Sequence, residues 1–162
     1  MNDTVTHLPF PVRRIMFVCH GNICRSPMAE FVMKHLVKKA GLEKNFYIDS
    51  AATSTEEIGN GPHYGTRTKL AQEGIPCGDH RARQLVYADG IDYDLIIGMD
   101  QENLFYMKKI LGPGAAPKIH LLLEWAGLKR DIADPWYTGN FDQTYLDIDL
   151  GCRALLKALS NN

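Results

Sequence analysis

A three-layer α/β fold, with a four-stranded parallel sheet between helices on both faces, follows from three features of this 162-residue chain. Short apolar runs of β type alternate with longer stretches of helical period, the pattern of parallel strands joined by crossover helices. The first run, Ile15-Met16-Phe17-Val18, is apolar throughout, which suits a strand covered on both faces. A glycine-bearing loop follows that run at once and opens a helical pattern, and ligands in such folds bind beyond the carboxyl ends of the strands.

The elements come in order. Arg14–His20 reads as the first strand. Residues 26–40 read as a helix, with Met28, Phe31, Val32, His35 and Leu36 on one stripe and Gly41 as its stop. Residues 46–51 form the second strand, and a polar loop runs from Ala52 to Pro62. A helix over 65–73 stops at Gly74. Residues 94–98 are a short buried strand through Leu95, Ile96 and Ile97, and Asp100 caps a helix reaching Leu111. Gly112-Pro113-Gly114 breaks the chain, residues 118–123 supply the fourth strand, and a loop extends to Gly139. A last helix over 142–159 places Tyr145, Ile148, Cys152, Leu155 and Leu159 on one face. No repeat or linker divides the chain, so one domain is expected over 1–162, with residues 1–12 a flexible leader lacking a signal-peptide core.

The loop Cys19-His20-Gly21-Asn22-Ile23-Cys24-Arg25-Ser26-Pro27 has the parts to hold an oxyanion against a thiolate. A strand–loop–helix turn points successive backbone N–H groups inward, so His20, Gly21, Asn22, Ile23, Cys24, Arg25 and Ser26 form a phosphate-binding nest. Arg25 adds a planar, permanent cation, and both features favour the thiolate of Cys19. A buried structural thiol is the competing reading of Cys19 alone, and the surrounding loop displaces it.

This loop resembles the signature of the low-molecular-weight protein tyrosine phosphatases, V-C-x-G-N-x-C-R-S-P, at every fixed position. Asp134-Pro135-Trp136 resembles the general-acid loop of the same family, and the resemblance runs from Arg14 to about Leu159. It implies a cysteinyl-phosphate mechanism with Cys19 as nucleophile, Arg25 on the phosphoryl oxygens and Asp134 as general acid and then base. Asn22, Ser26, Ser50 and His80 match positions that support the loop, Ser26 serving as helix cap and thiolate partner together. Cys19 and Cys24 match a pair implied to form a protective reversible disulfide. Packing beneath the loop and a zinc half-site are the other readings of Cys24, and the lone Cys77 and Cys152 speak against the metal.

One wall departs from the family. Where eukaryotic members commonly carry an aromatic residue, this chain has Thr55-Glu56-Glu57, which removes a stacking surface and adds negative charge beside an anion site. Trp136, Tyr137 and Glu56 are the expected pocket walls, with His63 and Tyr64 as further candidates. A solvated loop is the plainer reading of the two glutamates.

A formal net charge of -1 argues against a nucleic-acid partner, and no run approaches a membrane span. Four cysteines in 162 residues do not make a disulfide scaffold, so a reducing cytoplasm is expected. The expected partner is a phosphorylated protein or peptide, met by a monomer without metal or cofactor. Arsenate reduction on the same fold is the competing function, but it needs two further cysteines as a relay. Hydrolysis of phosphoarginine, known among bacterial relatives, is another.

Overall fold

A computed structural model describes residues 11–160. The leader expected over 1–12 lies outside the described residues up to position 10, and Val12 already packs on the core.

Four strands, β1 (Arg14–Cys19), β2 (Tyr47–Ala52), β3 (Leu95–Gly98) and β4 (Ile119–Leu121), form one all-parallel sheet in the order β2-β1-β3-β4. The chain leaves β1 for β2 on one side and then crosses to β3 on the other. The carboxyl ends of β1 and β3 therefore flank the point where the winding reverses, and a crevice opens there.

Alternation along β1 divides the core. Ile15, Phe17 and Cys19 face a layer made by α1 (Arg25–Lys39), by α6 (Phe141–Ser160) and by Leu70 of α2 (Tyr64–Gln72). Met16 and Val18 face the opposite layer, where α4 (Gln101–Leu111) contributes Met107 and Leu111. Burial on both sides makes β1 apolar from Ile15 to Val18. Gly41, at φ 74, ends α1 in the left-handed region while Leu42 N–H closes back on the Val37 carbonyl at 2.8 Å.

Three boundaries differ from expectation. Residues 122–123 leave the fourth strand and enter a 3₁₀ turn, Leu122–Ala126, ended by Gly127. The segment 89–92 forms a one-turn helix, α3 (Asp89–Asp92), and the acid loop carries another, α5 (Pro135–Thr138). Both are too short for a periodic signal.

Candidate active site

The phosphate loop is shaped by what its carbonyls accept. His20 O receives Ser54 N–H at 3.0 Å and Ser54 Oγ at 2.9 Å. Asn22 O receives His80 Nε2 at 2.8 Å, Ile23 O receives His63 N–H at 2.8 Å, and Cys24 O receives Thr66 Oγ1 at 3.0 Å. These partners surround the loop from outside. In a planar trans peptide the C=O and the following N–H point opposite ways, so outward carbonyls turn the amides of Gly21, Ile23, Cys24 and Arg25 inward. The oxyanion nest is built by its back-side bonds.

Cys19 ends β1 at the bottom of that loop and is buried. Its Sγ faces Asn22 N–H at 3.3 Å, Ser26 N–H at 3.4 Å and Ser26 Oγ at 3.1 Å. The neighbours of Ser26 leave its proton free for the last contact. Arg83 N–H donates to Asn22 Oδ1 at 3.2 Å, which orients the amide and leaves Nδ2 as donor to Ser26 Oγ (2.8 Å) and Ser50 Oγ (3.0 Å). Ser50 Oγ in turn donates to Glu30 Oε1 at 2.6 Å. Ser26 Oγ, already accepting, directs its own proton to the sulfur. Three donors thus converge on Cys19, the environment of a thiolate.

Ser26 does not cap α1. The cap position is Cys24, without a side-chain bond, and Ser26 lies in the first turn with its hydroxyl spent on the sulfur. Ser50 and His80 are buried beside the loop, Ser50 bonded to Asn22 Nδ2 and His80 to the Asn22 carbonyl. Glu30, which the sequence did not single out, closes the network. Its carboxylate accepts from Ser50 and from Lys34 Nζ (2.6 Å) and lies 3.8 Å from His80 Nδ1.

Arg25 is almost fully buried. Its Nη1 donates to Asp100 Oδ2 at 2.7 Å and to the Ile132 carbonyl at 2.9 Å. Nη2 reaches Asp134 Oδ2 at 3.4 Å, and Nε has no partner. Burial works against its charge, but Cys19, Asp100 and Asp134 outweigh it and raise the guanidinium above its ordinary range. One edge is thus anchored, and the Nε–Nη2 edge is left for a bidentate oxyanion. Asp100 both caps α4, through Asn103 N–H at 2.7 Å, and orients Arg25. Its place just after β3, at the strand's carboxyl end, was the available signal for the second role.

Asp134 stands beside Arg25 and lines the same pocket as Cys24. It also caps α5, accepting Trp136 N–H at 3.0 Å, so turn-former and candidate acid coincide. The pocket over Cys19 is lined by His20, Gly21, Ile23, Cys24, Glu56, Glu57, Asp134, Trp136 and Tyr137, which places all three expected wall residues. His63 and Tyr64 are not among the lining residues. His63 instead packs edge-on against Trp136 at 5.7 Å between centroids, itself stacked on Phe141 at 5.2 Å. Cys24 lines the same pocket, and burial, then Cys19, pushes its thiol up to about 12. No group of three or more His, Cys, Asp or Glu residues suited to a metal occurs among the described residues.

Residues 14–162 match the family model described as low molecular weight phosphotyrosine protein phosphatase. The chain is 42% identical over 147 residues to the low molecular weight protein-tyrosine-phosphatase YfkJ of Bacillus subtilis, covering 90% of this chain and 94% of the relative. The crystal structure of that YfkJ superposes with TM-score 0.89 at 39% identity, over 94% of this chain and 98% of the other. A Drosophila arginine phosphatase superposes with TM-score 0.79 at 36% identity, over 88% and 94%.

Proposed function

The chain belongs to the low molecular weight phosphotyrosine protein phosphatase family, and from that membership we propose how its residues perform the reaction. It is a protein-tyrosine phosphatase, a phosphoric monoester hydrolase acting on phosphoprotein substrate. Cys19 Sγ attacks phosphorus in line, while the inward amides of Gly21, Ile23, Cys24 and Arg25 and the Nε–Nη2 edge of Arg25 hold the equatorial oxygens. The bond from phosphorus to the tyrosine oxygen breaks as Asp134 gives that oxygen its proton. Water then attacks the cysteinyl-phosphate and loses a proton to Asp134, and the sulfur leaves as a thiolate that Ser26 receives. The convergence of Asn22 N–H, Ser26 N–H and Ser26 O–H on one sulfur is the observation that carries this reading.

The protein acts as a single domain, as a monomer, and in the cytoplasm, where a thiolate enzyme stays reduced. A thiol relay for arsenate is disfavoured because Cys152 is wholly buried, with its thiol pushed well up by that burial. Similarity to an arginine phosphatase gives a second reading, in which the phosphorylated group is a guanidinium.

Asp134→Asn tests the acid. This variant keeps a cap but cannot donate a catalytic proton. Its rate should fall about 10²- to 10⁴-fold for leaving groups as basic as tyrosine and far less for activated phenols. Equal losses across the leaving-group series would mean that Asp134 only shapes the loop.

A further inference from the structure

The pocket joins a floor for an anion to a rim of the opposite preference. On the floor, buried Arg25 Nε lacks a partner. On the rim, His20 Nε2 donates to Glu56 Oε2 at 2.8 Å, tying the loop after β2 to the residue that follows the nucleophile. That loop is already fixed to the phosphate loop by Ser54, so Glu56 is held in place at the entrance. Glu57 packs over Gly21, its Cγ 3.4 Å from where a Cβ would stand, and accepts Asn60 Nδ2 at 2.9 Å.

The same pocket is lined by Trp136, 58% exposed, and Tyr137, 82% exposed. Arg25 lies buried beneath the floor, and the residues lining the pocket above it include no lysine or arginine. Aromatic faces and carboxylates around one pocket both attract cations, through the ring quadrupole and through charge. The phosphate loop demands a phosphoryl group, and the rim rewards positive charge a few ångströms away.

We propose that Glu56, positioned by His20 and assisted by Glu57, determines specificity. The enzyme prefers phosphotyrosine flanked directly by lysine or arginine over phosphotyrosine flanked by acidic residues. This proposal rests on the catalytic reading above. It does not follow from that reading, because the nest, Arg25 and Asp134 would act alike with any wall. Exposed charge pairs are individually weak, so two rim carboxylates should give a preference of about three- to tenfold in kcat/KM.

The test uses synthetic phosphotyrosine peptides that differ only in the residues beside the phosphotyrosine, arginine in one and glutamate in the other. The ratio of their kcat/KM values is measured within each enzyme, so that a change in overall rate cancels. The wild type should favour the arginine peptide about three- to tenfold at low salt and lose most of that margin at high salt. The ratio should fall toward one in the Glu56→Gln/Glu57→Gln variant. His20→Ala, which removes the donor to Glu56, should give an intermediate ratio.

A wild-type ratio at or below one, or a ratio that persists in the double variant, overturns the proposal. Faster turnover of a phosphoarginine peptide than of its phosphotyrosine counterpart also overturns it, because the selected cation would then be the reacting group. Turnover of p-nitrophenyl phosphate by the wild type separates the two readings. With no such turnover the catalytic reading fails, whereas full turnover with a flat peptide ratio removes only the role given to the rim.

Discussion

Asn22 has φ 60, the one positive value outside glycine among the described residues, and it makes five hydrogen bonds from that conformation. A left-handed backbone costs asparagine little, and the side chain repays it by orienting Ser26 and Ser50. Asn22→Gly separates the two contributions, since glycine accepts the same φ but lacks the amide. Without Nδ2, Ser26 is free to turn its proton from the sulfur, and kcat should fall about ten- to a hundredfold. Retained kcat in Asn22→Gly would mean that backbone conformation is all the residue supplies. The same network explains Glu30. A buried carboxylate between Ser50, Lys34 and His80 anchors the loop from α1, and nothing near it in the sequence marked that role. Lys34 is a neighbour on the same helix, but Ser50 and His80 lie 20 and 50 positions away and meet it only through packing.

The phosphate loop was legible because its parts are contiguous. Nucleophile, amides, cation and helix start fall within Cys19–Ser26, so spacing alone assembles them. The acid loop was legible as a motif but not as a helix, because four residues from Pro135 to Thr138 carry no period. Loop chemistry also bears on oxidation. Cys24 keeps its proton at neutral pH, its thiol being pushed up to about 12, so Cys19 is the sulfur that reacts first with peroxide. Cys24 would then attack the sulfenic acid of Cys19, releasing water and forming a disulfide within the loop. Thiol should restore most activity to the wild type after mild peroxide, and much less to Cys24→Ser. Equal recovery of the two proteins would remove the protective role of Cys24.

At the scale of the whole molecule, the reversal of winding between β1 and β3 makes one site from distant pieces. Cys19 comes from the end of β1, Asp100 from the end of β3, and Ile132 and Asp134 from the segment after β4. A parallel sheet could be inferred from alternating runs, but strand order could not, and Asp100 acquires its contact with Arg25 only through that order. The lengths of β4 and of the short helices were likewise set by packing and not by pattern. Attack on phosphorus by the Cys19 sulfur can be caught directly. Enzyme turning over an aryl phosphate in the presence of a chelator is quenched in milliseconds and digested, and the phosphorylated peptide is sequenced by mass spectrometry. A phosphoryl group is expected on the Cys19 sulfur and none in Cys19→Ser. A phosphoryl group on His20 or any other side chain, or its formation in Cys19→Ser, would contradict it.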